Sequence, residues 1–217
     1  MYDNERQQIV DFGKEMITEH LTSGTSGNIS IFIPEKKHML ISPSGMPYFE
    51  TKPEDIVVID MEGNVVEGNR KPSSEWNLHL AMYKTKPEAC AAVHTHSMYC
   101  TVLACLHEPL KAAHYVVADS GATEVPCAEY RTYGTHELAD VTSKAMGDSN
   151  AVLLANHGMI AVGKDLKSAF GLARGMEWCA EVYYRALCAG KPHILPKDEM
   201  ERVIEKFKGY GQTPTKK

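Results

Sequence analysis

The chain has 217 residues, 43% of them hydrophobic, enough to bury one substantial core, so a single domain over 1–217 is expected. A formal net charge of −5, with no dense Lys/Arg stripe, argues against a nucleic-acid partner. No apolar run approaches the roughly 20 residues of a membrane helix and no apolar leader follows the N-terminus, so no membrane partner and a cytoplasmic location are expected.

In chain order, Ile9, Phe12, Gly13, Met16, Ile17 and Leu21 carry the spacing of an amphipathic helix that Ser23 and Gly24 end. Short β-rich runs follow over Ile29 to Ile33, Met39 to Ile41 and Ile56 to Asp60, then Val65-Val66 after a Glu-Gly-Asn turn. They stand too close together for crossover helices, so antiparallel pairing is predicted. From Ser74 the pattern is helical until Pro87, with Trp76, Leu80 and Tyr83 on one side. Cys90 to Val93 reads as a buried strand and Ser97 to Leu106 as a helix. The spacing predicts a helix over Thr135 to Met146, strands over Ala151 to Ala155 and Ile160 to Val162, and a long helix from Asp165 towards Cys188. Met200, Val203, Ile204 and Phe207 mark a last helix. The six cysteines include no C-x-x-C pair and are expected to be free, packed thiols rather than a disulfide framework.

The sharpest local signal is His94-Thr95-His96, directly after an apolar run. Alternate side chains of a strand share a face, so two imidazoles two residues apart can converge on one ion. A second apolar run, Leu153 to Ala155, leads into Asn156-His157-Gly158, and three imidazoles with open positions are a common setting for catalytic Zn²⁺. His20, His38, His79, His107, His114, His136 and His193 lack this strand-end setting and are read as packing or surface residues.

Three polar loops accompany the histidines. Gly24-Thr25-Ser26-Gly27-Asn28 and Ser42-Pro43-Ser44-Gly45 are small-residue loops of the kind that present backbone N–H groups to an anion, or serve only as turns. Pro72-Ser73-Ser74-Glu75 meets a helix start. Ser74 there reads either as an N-cap, with Glu75 favourable at the positive end, or as part of a phosphate site with a carboxylate acid/base beside it.

This ordered set of motifs, with Glu205-Lys206-Phe207-Lys208-Gly209-Tyr210-Gly211 near the end, resembles the class II aldolase and epimerase family over nearly the whole chain, most of all its fuculose-1-phosphate aldolase branch. The resemblance implies a three-layer α/β/α sandwich with a central mixed, mostly antiparallel sheet. It implies one Zn²⁺ per subunit on His94, His96 and His157, with Glu75 as acid/base and as a further ligand in the substrate-free state. Thr25, Gly27, Asn28, Ser44, Gly45, Ser73 and Ser74 would hold the phosphate of a phosphorylated sugar. It also implies a homotetramer with sites at subunit interfaces, where Tyr115 from a neighbour serves as proton acceptor and Tyr210 lies on the aldehyde side. The expected reaction is retro-aldol cleavage of a ketose 1-phosphate, L-fuculose 1-phosphate on this resemblance, to dihydroxyacetone phosphate and L-lactaldehyde. The family's 4-epimerases have Asp where Glu75 stands, which favours the aldolases. A methylthioribulose-1-phosphate dehydratase would keep the same histidines, whereas a non-catalytic adducin-like module would have no need of all four groups.

Overall fold

The computed structural model describes residues 1–209. Its first strands, β1 (Asn28–Ile33), β2 (His38–Ile41), β3 (Val57–Ile59) and β4 (Val65–Glu67), form the expected antiparallel meander. After them come β5 (Ala91–Thr95), a separate antiparallel pair of β6 (Leu110–Lys111) and β7 (Glu124–Val125), and then β8 (Cys127–Ala128), β9 (Ala151–Leu154) and β10 (Gly158–Gly163). The main sheet runs β4-β3-β2-β1-β5-β10-β9-β8. Its pairs are antiparallel except β8 with β9, which makes the sheet mixed but mostly antiparallel.

Among the described residues six α-helices flank it: α1 (Asp3–Thr18), α2 (Trp76–Thr85), α3 (Met98–Cys105), α4 (His136–Met146), α5 (Leu166–Ala189) and α6 (Lys197–Phe207). Period-two alternation along the strands sends side chains to two separate cores. Val58, Val93, Leu153 and Ala161 pack with Ile9 of α1, Leu103 of α3 and Phe170 of α5. Val57, Ile59, Ala92, Val152 and Ile160 pack with Leu78 and Met82 of α2 and with Met146 of α4. The result is three layers, with helices on both sheet faces.

Several elements depart from the sequence expectation for identifiable reasons. α1 begins before the apolar stripe because Arg6, only 5% exposed, is itself a core residue. Its guanidinium donates to the carbonyls of Pro53 and Ile56 and pairs with Glu67. The helix stops at Thr18, and His20, with φ of 57°, turns the chain away. No element was expected between Leu106 and Thr135, where the structure has the three shortest strands and a 3-10 segment over Tyr115–Ser120. The cysteines are all free, yet Cys105 and Cys188 are exposed rather than packed. Among the described residues no helix is long and apolar enough to cross a membrane.

Candidate active site

The site grows from the end of β5. His94 lies opposite Asn28 of β1 and Ile160 of β10, and like Ala92 two residues earlier it belongs to the sheet face under α2. His96 is the next residue on that face, just beyond the strand. His157 comes from the tight turn between β9 and β10, where Asn156 supplies the left-handed residue with φ of 54°. Gly158 serves a different purpose: a Cβ there would sit 2.2 Å from the Thr95 carbonyl oxygen. Only glycine lets this turn lean on the end of β5, which brings the His157 ring within 4.7 Å of His94 and 4.9 Å of His96, centroid to centroid.

Glu75 enters from the opposite side, at the N-cap position of α2, but its side chain caps nothing. The helix starts one residue later than a Ser74 cap requires, so that reading is corrected. Ser73 instead accepts the Glu75 backbone N–H at 3.3 Å, and the carboxylate is directed at the histidines. Glu75 Oε2 lies 3.2 Å from His94 Nε2 and Oε1 lies 3.5 Å from His157 Nε2. Ligand atoms of Glu75, His94, His96 and His157 all fall within 4.8 Å of one another.

The chemistry of this donor set fits a metal cation. His94 donates from Nδ1 to the Met159 carbonyl at 2.9 Å, which leaves its Nε2 directed at the cluster. That Nε2 stands 3.1 Å from His96 Nε2, and Glu75 Oε1 is buried without a hydrogen-bond partner. Lone pairs crowded this closely in a buried space call for a shared positive charge. The electrostatics agree. Burial, then the charge of His94, depress the His96 imidazole to about 4 and the His157 imidazole to about 3, so both stay neutral donors. Burial would raise the Glu75 carboxyl, but the charge and hydrogen bond of His94 outweigh it and hold the group well below the usual carboxylate range.

A cleft of about 340 Å³ opens beside this cluster. Two of its loops are zipped together: Ser44 N donates to the Lys71 carbonyl at 2.9 Å, and Ser73 N to the Ser42 carbonyl at 3.0 Å. The third loop is pressed onto β5, since Gly27, with φ of 72°, would place a Cβ 2.7 Å from the His94 carbonyl oxygen. Thr25, Gly27, Asn28, Ser44, Gly45, Ser73 and Ser74 all line the cleft, together with Glu75, His96 and His157. The sequence reading missed its far wall, Tyr130, Arg131 and Tyr133. That loop is tied down where the Gly134 carbonyl accepts Asn77 Nδ2 at 3.2 Å. Its Tyr-Arg-Thr-Tyr-Gly run has no periodicity to mark it. Tyr115 does not line this cleft; it is 49% exposed and borders a separate groove with Val203 and Phe207 of α6. Tyr210 lies outside the described residues.

Residues 7–184 match the class II aldolase and adducin N-terminal domain family. The chain belongs to this family. Its similarity extends over whole relatives. A 5-deoxy-D-ribulose 1-phosphate aldolase of Bacillus thuringiensis is 49% identical, covering 98% of this chain and 99% of the relative. An L-fuculose phosphate aldolase of Haemophilus influenzae is 44% identical, with 94% of each chain covered. A solved L-fuculose 1-phosphate aldolase superposes with a TM-score of 0.92 at 49% identity, covering 94% of this chain and 96% of that one. With this kinship and an intact His/Glu cluster, the protein is a metal-dependent class II aldolase.

Proposed function

We propose that this class II aldolase cleaves a deoxyketose 1-phosphate to dihydroxyacetone phosphate and a short aldehyde, using Zn²⁺ held by His94, His96, His157 and, without substrate, Glu75. The observation that carries the proposal is the cleft itself, with a carboxylate and imidazole nitrogens at one side and hydroxyl- and glycine-rich loops at the other. Three imidazoles, a carboxylate and room for substrate oxygens suit zinc. A bound divalent ion supplies Lewis-acid stabilisation of the negative charge that develops at the substrate carbonyl.

The protein's own groups do the rest. Ser44, Ser73, Ser74 and Thr25 offer hydroxyls to the phosphate, and the Gly27–Asn28 and Gly45 segments offer backbone N–H groups. The incoming end of α2 adds its positive pole. Arg131 is the only Lys or Arg of the cleft wall among the described residues, so recognition rests mainly on neutral dipoles. Phosphate anchoring positions the sugar carbons against Glu75. Glu75, ionised and buried, moves the proton at the carbon that becomes C3 of dihydroxyacetone phosphate.

A second proton acceptor is needed at the C4 hydroxyl, and we assign it to Tyr115 of a neighbouring subunit in a homotetramer. Its exposure, outside its own chain's cleft, supports this assignment. Dissociating inactive Tyr115→Phe and His94→Ala chains and reassembling them together should recover part of the wild-type activity. Verified hybrids that stay at background, while wild-type chains survive the same treatment, rule the shared site out. Tyr210 is proposed for the aldehyde side, and the six free thiols fit a reducing cytosol.

L-Fuculose 1-phosphate, 5-deoxyribulose 1-phosphate and 5-methylthioribulose 1-phosphate differ only beyond the bond to be cleaved, where Tyr130 and Tyr133 offer apolar surface. The zinc-loaded protein should release dihydroxyacetone phosphate from at least one of them, with highest kcat/KM for a substrate ending in a methyl or thioether. Dehydration or epimerisation of these ketoses or of ribulose 5-phosphate, without aldehyde release, would refute the proposal.

A further inference from the structure

Beneath the carboxylate lies a row of buried polar side chains, of which Asn28 alone borders the cleft. Glu75, His79 and Tyr83 recur every four residues along one face of α2, and Asn28 and Ser30 alternate on the facing side of β1. The two rows interlock. Asn28 Nδ2 lies 3.1 Å from Glu75 Oε2, and Asn28 Oδ1 lies 2.5 Å from His79 Nε2. His79 Nδ1 is 2.6 Å from Ser30 Oγ, which is 2.6 Å from the Tyr83 hydroxyl. His79 and Ser30 are fully buried, and Tyr83, Asn28 and Glu75 are no more than 5% exposed.

Counting protons fixes the direction of every bond. An ionised carboxylate only accepts, so Asn28 turns its NH₂ towards Glu75 and its carbonyl oxygen towards His79. That oxygen requires a donor, so His79 carries its proton on Nε2. Full burial keeps the ring neutral, so Nδ1 accepts and Ser30 donates to it. Ser30 in turn accepts from Tyr83. Donation thus runs one way, from Tyr83 through Ser30, His79 and Asn28 to Oε2 of Glu75. Without the His79 donor, the Asn28 amide loses its reason to keep this orientation; flipped, its oxygen would face the carboxylate and repel it.

We propose that His79 is a positioning residue which, through Asn28, locks Oε2 of Glu75 against β1 and leaves Oε1 as the oxygen that exchanges the proton. Oε1 is the carboxylate oxygen with no hydrogen-bond partner. Asn28 also faces His94 across the β1–β5 ladder, so the lock refers the carboxylate to the strand that carries His94 and leads into His96. The inference rests on Glu75 being the proton-transfer group.

The test compares His79→Leu with His79→Gln, whose amide can still donate to Asn28. In the zinc-loaded protein, His79→Leu should lower kcat for cleavage, and with it the solvent exchange of the C3 proton of dihydroxyacetone phosphate, by on the order of 10-fold or more. KM and zinc content should change by less than about threefold, since the histidines and most of the phosphate loops are untouched. His79→Gln should recover most of the loss. Ser30→Ala, which removes the donor to Nδ1, should repeat the effect more weakly and serves if His79→Leu does not fold. Unchanged exchange in these variants, equal impairment of Leu and Gln, or zinc loss in step with activity would each overturn the positioning role. Normal exchange in Glu75→Gln would instead remove the reading on which it rests, so the two failures are distinguishable.

Discussion

Replacing His94 by alanine is expected to weaken metal binding by on the order of 10²-fold or more and to take cleavage to background. His94 sits at the centre of the cluster. Its Nε2 is within 3.1 Å of His96 Nε2 and 3.2 Å of Glu75 Oε2, whereas His157 approaches the carboxylate only to 3.5 Å. The ring is fully buried and its Nδ1 holds the Met159 carbonyl. Its loss therefore opens a cavity and strands an acceptor, at a cost of roughly 2–5 kcal/mol. A control separates this from the metal effect: chelated wild type should be equally inactive yet regain full activity with added Zn²⁺, which His94→Ala at the same zinc should not. Full metal occupancy and turnover in His94→Ala and in His157→Ala would contradict the assignment of ligands.

Glu75→Gln is expected to lower kcat by on the order of 10²-fold or more, the usual effect of removing a positioned proton-transfer group. Glutamine preserves the shape and can still accept from Asn28 Nδ2, so the fold and the three imidazoles remain. What it lacks is a site that can take up a proton. In the wild type that site is ionised at neutral pH because His94 outweighs the burial that would raise it. Metal content should fall far less than in His94→Ala, with KM little changed. Turnover near that of the wild type would leave Glu75 as only a ligand.

The metal cluster was legible in the sequence because its geometry is nearly local. His94 and His96 share a face through period two, and His157 follows a second apolar run of strand length. The loops were legible by composition, although as turns they were ambiguous until Ser44 N met Lys71 O and the Gly27 backbone met that of His94. His79 was read as an unremarkable packing residue. Its partners Asn28 and Ser30 lie 51 and 49 residues away along the chain, so no window contains them. A signal did exist: Glu75, His79 and Tyr83 at four-residue spacing form a polar stripe on a helix whose other buried positions include Leu78 and Met82. The strand pattern of β1 carries the matching polar pair. The edge strand β8 was illegible for a simpler reason, being two residues long and therefore without a period.

The measurement that tests the account most directly needs no knowledge of the aldehyde. Dihydroxyacetone phosphate incubated in D₂O with zinc-loaded protein should exchange one C3 proton, followed by NMR, while chelated protein and Glu75→Gln should leave it protonated and zinc should restore exchange only to the former. Exchange that persists in the chelated protein or in Glu75→Gln, or its absence in zinc-loaded enzyme that still cleaves its sugar phosphate, would contradict proton transfer by Glu75 at a metal site.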